Sequence, residues 1–358
     1  MSSFRKIGVL TSGGDAPGMN ACAKAVVNKA LSMGIEVVGI NRGYAGLMQG
    51  DVFSLTQKRV NNVVSLGGTF LYSSRCLEFM TEQGIQIAVD TCKKNGIDAL
   101  ICIGGDGTFR GATAMTNHGI PSIGLPGTID NDITATDNTI GFDTAINTTV
   151  QMIDNLRDTC ESHARLNVVE VMGRDCGLLA LRAAMASGAV AVAVPEIPFD
   201  EEAALEKIRQ LRRDGKRSMI VVVSEGVISP DGRPYAEKLA KTIQEKTGVE
   251  TKFTRFGHVV RGGNPTAEDR ILASRVACRA IEHLVAGRSN VVMCELKGKV
   301  EPVDINFALL TDQMYKKRLK PGDLDNVSDE DKAKMRAICE QRTEELRVLY
   351  QTACDVSF

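Results

Sequence analysis

In GLPGTIDND, residues 124–132, an apolar run ends in Pro-Gly and then sets two aspartates one residue apart. Side chains two apart in extended backbone point the same way, so Asp130 and Asp132 are expected to face one cleft, each raising the other's pKa. Such a pair wants a cation nearby. The competing reading is a turn, in which Thr, Asp and Asn fold back on their own backbone. Two glycine stretches bear on the choice. In IGVLTSGGDAPGMN, residues 7–20, a β-like run leads to Gly13 and Gly14 and to a helix expected to begin near Gly18. Glycines let backbone N–H groups close on an anion, and a helix N-terminus adds a favourable dipole. Met19 and Asn20 stand where a Walker A loop needs Lys and Ser or Thr, and GxGxxG is missing. In ALICIGGDGTFRGA, residues 99–112, Asp106 lies between Gly105 and Gly107. A carboxylate facing phosphates repels them unless a divalent cation bridges the two, and Mg²⁺ takes one or two carboxylates plus phosphate oxygens. Asp106 is therefore a candidate Mg²⁺ ligand, with a helix N-cap as the alternative. If the glycine loops hold a polyphosphate, Asp130 suits the base that deprotonates an acceptor hydroxyl, and Asp132 suits a support to metal or arginine. The positive charge that phosphoryl transfer needs has candidates in Arg75, Arg165, Arg174 and Arg261, all in loop-like settings.

These residues need strands to carry them. Short β-rich runs alternate with longer helical patterns: KIGVL, IEVVGI, DALICIG, PSIGL, then NVVEVM, AVAVAVP, SMIVVVSEG and NVVMCEL. Such alternation implies parallel sheets covered by helices, with ligands at the carboxyl ends of the strands. A chain of 358 residues exceeds what one core usually holds. The expected fold is α/β, two Rossmann-like lobes with mainly parallel sheets and an active site in the cleft between them. A break is expected near residue 140. From about residue 322 the chain turns polar and reads as an amphipathic terminal helix opened by a Ser328 to Glu330 capping signal.

Charge is balanced, 43 basic against 44 acidic residues, without blocks of one sign, which argues against nucleic acid or an anionic membrane as partner. Ten scattered cysteines without a CxxC pair read as reduced thiols. No stretch approaches the ~20 apolar residues of a membrane span. A soluble, cytoplasmic chain acting on a small molecule is expected.

Taken in order, LTSGGDAPGMN, GGTFL, IGGDGT, GLPGTIDND, TIGFDTA, VVEVMGR, FGH with RGG, and DRILASR resemble the phosphofructokinases over most of residues 5–300. GGDGT alone also suits NAD kinases and diacylglycerol kinases, whereas PGTIDND followed by MGR and RGG is specific. The resemblance implies transfer of the γ-phosphoryl group of ATP to the 1-hydroxyl of fructose 6-phosphate. Asp130 would be the base and Thr128 would orient the moving group. Asp106 would hold Mg²⁺ with help from Asp132. Gly14, Arg75, Cys76 and Gly105, Asp106, Gly107 and Thr108 would line the nucleotide site, and Arg174 would stabilise the phosphoryl charge. Met172, Gly173 and Glu225 would contact the sugar, and Arg165, Lys252, His258 and Arg261 its 6-phosphate. Lys252 stands where the family usually has arginine, so it keeps the charge and loses the planar fork.

In the family, Arg165 and position 252 reach across from a neighbouring subunit, which implies a homo-oligomer, usually a tetramer. The implied lobes are residues 1–140 with about 252–300 for the nucleotide, and 141–251 with about 301–321 for the sugar phosphate; 322–358 form an extension. Pyrophosphate-using relatives carry Asp and Lys where this chain has Gly107 and Gly127, so ATP is the expected donor. A pyrophosphate-dependent enzyme and a non-catalytic nucleotide-sensing subunit are the alternatives. Of the basic effector cluster found between subunits in regulated relatives, Lys24, Arg157 and Lys216 match in charge. Asn28 and Asp214 are not basic and Val190 replaces an acid, so weak or altered ADP activation is expected.

Overall fold

The computed structural model describes residues 4–357. Its strands are β1 (Lys6–Thr11), β2 (Glu36–Ile40), β3 (Val52–Ser54), β4 (Ala99–Gly104), β5 (Ser122–Pro126), β6 (Leu166–Val171), β7 (Ala191–Ala193), β8 (Met219–Ser224), β9 (Thr251–Arg255), β10 (Val291–Leu296) and β11 (Lys299–Asp304). The chain divides into two compact units. The first runs to Ile129 and adds Ile133–Asp143 and Arg261–Cys339; the second holds Asp130–Asp132, Thr144–Val260 and the chain from Glu340. Both have the expected α/β architecture, mainly parallel sheets covered by helices.

In the first unit the strand order is β11-β10-β5-β4-β1-β2-β3. The central strands β4 and β5 are buried along their whole length, as apolar runs covered on both faces must be. Only the edge strands β3 and β11 pair antiparallel. From β1 the chain winds first towards β2 and later, through β4 and β5, the other way, so β1 and β4 flank the switch point where open α/β sheets bind ligands. Parallel register sets Thr11 beside Ile103 and Gly104 beside Pro126, bringing three carboxyl ends level.

The second unit has a parallel sheet in the order β7-β8-β6-β9. Its core packs Val168, Val221 and Val223 against Leu205, Ile208 and Leu239.

Two segments lie elsewhere than the sequence suggests. Residues 301–321, expected with the sugar-phosphate lobe, belong to the first unit, with 301–304 in β11 of its sheet. Lys297 and Gly298 both have positive φ, 50° and 76°, and Leu296 pairs with Lys299, so a two-residue hairpin folds β11 straight back onto β10. Residues 252–255, expected with the nucleotide lobe, lie in β9 against β6. The terminal helix spans Asp329–Asp355, its beginning in the first unit and its end in the second. Its cap differs in detail: Ser328 Oγ accepts from Asp331 N at 3.1 Å and donates to Asp331 Oδ2, because the third helical residue, and not Glu330, reaches back. Among the described residues no helix is long and apolar enough to cross a membrane, and no two cysteines form a disulfide.

Candidate active site

The glycine loops after β1 and β4 lie side by side. Ser12 N donates to Ile103 O at 3.0 Å, and Thr108 Oγ1 donates to Ser12 O at 3.0 Å. A methyl group on Gly104 would collide with both partners of that second bond. Gly13 (φ 84°) and Gly18 (φ 103°) hold left-handed backbone, turning the chain into the helix Met19–Ser32. Asp106 is the first residue of the helix Asp106–Asn117 and accepts from Gly107 N at 2.7 Å; the capping position itself belongs to Gly105. Side chains at Gly105 or Gly107 would meet nothing within 4 Å, so the space above this turn is open. Cys76 is half-buried, its Sγ 3.6 Å from Met48 Sδ. Arg75 is exposed and makes no ion pair among the described residues.

Sequence reasoning passed over Tyr44. Its buried hydroxyl donates to Thr108 O at 2.7 Å and its ring stacks on Phe79 at 4.1 Å, so it braces the turn that presents Asp106. Burial pushes the Tyr44 pKa up, which keeps the donor protonated. No motif surrounds it; only the fold brings it there.

Arg261, expected on a sugar phosphate, belongs to this unit. Its Nη1 donates to Asp15 O at 3.2 Å, and its guanidinium lies across the Cα of Gly14, where any side chain would displace it. Beyond β5, Gly127 N donates to Gly104 O at 3.0 Å, Thr128 N to Ile140 O at 3.1 Å, and Thr139 Oγ1 to Thr128 O at 2.6 Å. A side chain at 127 would press on Met19 and Ile103, at 3.1 and 3.2 Å.

The two aspartates do not share a strand face. Asn131 between them is left-handed, with φ 50°, which breaks the alternation; Asp130 is buried at 2% exposure and Asp132 half-exposed. Within the second unit, Asn131 O lies 3.9 Å from Cys176 Sγ, next to the turn that carries Met172, Gly173 and Arg174. Glu225 Oε1 accepts from Gly173 N and Arg174 N at 3.2 and 2.9 Å, pinning that turn. Arg174 adopts φ 51°, uncommon for a side-chain-bearing residue, and its exposed guanidinium has no ion-pair partner among the described residues.

Met172, Gly173, Arg174, Glu225 and the exposed His258 all follow the carboxyl ends of β6, β8 and β9. Arg165 and Lys252 do not. Both stand at the amino ends, Arg165 just before β6 and Lys252 beside Asn167, and both bind Glu250, at 2.9 and 3.1 Å. The hydrogen bonds of Arg165 and then Lys252 hold the Glu250 carboxyl below its usual pKa. Six residues of β6, at about 3.3 Å each, put about 20 Å between these two sets.

Among the described residues no three His, Cys, Asp or Glu side chains gather to hold a metal alone. An exposed carboxylate at a helix start, beneath open space, suits Mg²⁺ that takes its other ligands from phosphate and water, so Asp106 fits the ion the sequence implies. Val190 is in the second core and offers no ligand, while Lys24 donates to Asn61 O at 2.7 Å. Burial and then the charge of Arg157 lower the Lys216 pKa.

A phosphofructokinase family model matches residues 6–284. The chain is 48% identical over 316 residues to an ATP-dependent 6-phosphofructokinase 1 of Clostridium perfringens, covering 88% of this chain and 97% of that protein. It is 50% identical over 318 residues to one of Thermus thermophilus, covering 86% and 98%. Among solved structures, a phosphofructokinase of Saccharomyces cerevisiae superposes with a TM-score of 0.81 at 29% identity, over 98% of this chain and 48% of that longer one. A pyrophosphate-dependent phosphofructokinase of Marinobacter aquaeolei, at 21% identity and a TM-score of 0.72 over 84% of this chain and 83% of that one, shares the fold.

Proposed function

The chain belongs to the phosphofructokinase family, and from that premise we propose how its residues divide the reaction it catalyses, ATP-dependent phosphorylation of fructose 6-phosphate in glycolysis. One observation carries the reading: the level carboxyl ends of β1, β4 and β5 join two phosphate-type glycine loops and run directly into Thr128 and Asp130. Backbone N–H groups of the first loop and of Gly105–Thr108 bind the polyphosphate, with Arg75 and Cys76 beside it. Asp130 accepts the proton of the sugar 1-hydroxyl as that oxygen attacks the γ-phosphorus and ADP leaves. Thr128 orients the transferred group and Arg174 stabilises its equatorial oxygens. Asp106, supported by Asp132, would hold Mg²⁺, which would offset negative charge on the bound polyphosphate. Met172, Gly173 and Glu225 bind the sugar. The open space at Gly107 leaves room for a nucleotide donor. A coupled assay offering fructose 6-phosphate with ATP, and separately with pyrophosphate, tests the donor; faster turnover with pyrophosphate overturns it.

The about 20 Å between Arg165 with Lys252 and the opposite edge of their own sheet supports a further part of the reading. These two cations serve the sugar 6-phosphate bound by another copy, alongside that copy's His258 and Arg261, so the enzyme works as a homo-oligomer, a tetramer by family likeness. Mixing an Arg165→Ala protein with an Asp130→Asn protein is the test. Each is impaired alone, and subunit exchange restores activity only if one site draws both residues from different copies.

A further inference from the structure

We propose that Asn20 is a positioning residue that holds Arg75 over the phosphate-binding loops, an inference that rests on the nucleotide site described above. Asn20 is the second residue of the helix Met19–Ser32 and is 2% exposed. Both ends of its amide are spent on one distant segment. Nδ2 donates to Leu66 O at 3.0 Å and to Gly67 O at 3.1 Å, and Oδ1 accepts from Phe70 N at 2.8 Å. The reversed amide would set oxygen against two carbonyls and NH₂ against an N–H, so the orientation is determined by its partners.

The segment needs such anchors. From residue 61 to 77 the chain forms neither helix nor strand, so its backbone groups have no ladder to pair with. Other hydrogen bonds to the first glycine loop and its strand tie it down: Thr11 Oγ1 donates to Tyr72 O at 2.8 Å, and Ser73 Oγ, from the segment itself, donates to Gly13 O. The tethered chain then delivers Arg75, exposed and without an ion-pair partner among the described residues. A long flexible side chain can be aimed only as well as its backbone is held. A Walker A loop sends a lysine from the first helical turn to the phosphates. Here the corresponding turn carries Asn20, and instead of supplying a cation it fixes the segment that does.

A purely structural anchor would lower stability without selecting Arg75. A double-mutant cycle separates the two, using full-length Asn20→Ser, Arg75→Ala and the double variant, with melting temperature recorded for each. Asn20→Ser should lower kcat/KM for ATP by about tenfold or more, and in the Arg75→Ala background by less than about threefold, because the residue it positions is gone. The KM for fructose 6-phosphate should move by less than about twofold. Effects that multiply independently, or an unchanged kcat/KM for ATP in Asn20→Ser, overturn the proposal. Should Asn20→Ser fail to fold, Thr11→Val removes the neighbouring anchor and enters the same cycle, with the same coupling expected and independence again fatal. If Arg75→Ala alone leaves ATP turnover intact, the role given to Arg75 falls and this inference with it; if Arg75→Ala is impaired but the effects are independent, only the Asn20 assignment falls.

Discussion

The two sheets treat their ligand residues differently. At the first, the loops after β1, β4 and β5 interlock through Ser12, Thr108 and Gly127, and the residues assigned to the nucleotide and Mg²⁺ come from one edge or from a segment tied to it. At the second, residues assigned to one sugar phosphate stand at opposite ends of β6. A loop cluster can be completed by local backbone bonds, whereas a strand separates its two ends by a length no side chain spans. The candidate donor residues thus gather around one set of strand ends and the segment tied to it, whereas the candidates for the sugar phosphate lie about 20 Å apart along one strand.

Asp130→Asn should have the largest effect, a fall in kcat of about 10³-fold with nucleotide binding retained, read by steady-state kinetics and direct titration. An unchanged rate would remove Asp130 from its role. Arg165→Ala should raise the KM for fructose 6-phosphate by about 30-fold, as expected for losing a charge-assisted contact of about 2 kcal/mol, and leave the KM for ATP alone. A matching rise in the KM for ATP would blur the division between the halves. Gly14→Ala probes the one sugar-phosphate candidate that contacts the donor loop. The added methyl displaces the Arg261 guanidinium, so kcat/KM should fall about tenfold for both substrates, and Arg261→Ala in that background should recover part of the loss for ATP only. Loss for ATP alone would show that Arg261 serves only the donor side. Smallest is Lys252→Arg, which restores a planar fork and should lower the KM for fructose 6-phosphate by about two- to threefold. No change would mean that the lysine is a neutral departure.

Much of this was legible because buried parallel strands are conspicuous. ALICIG and MIVVVS are continuous apolar runs, and the glycine loops that leave strand ends carry their own chemistry. Edge strands are not. TKFTR and KVEPVD mix lysine, glutamate and proline with apolar residues, since one flank faces solvent, and they escaped notice until the sheets assembled. The alternation argument for Asp130 and Asp132 failed on one residue, because Asn131 tolerates left-handed backbone that a periodic reading cannot foresee. Asn20 read only as the absence of a phosphate-binding residue, and its three partners lie 46 to 50 residues away.

By itself the amino-acid sequence determined the α/β class, the glycine turns at strand ends and which residue types were available for phosphoryl transfer, because backbone preference and hydrophobic period act over a few neighbouring residues. Only the tertiary structure decided that β11 belongs to the first sheet, that Arg261 rests on Gly14 and that Arg165 stands away from the edge bearing Arg174. Strand order and parallel register set those distances, and both are settled by which buried surfaces pack together across the whole chain.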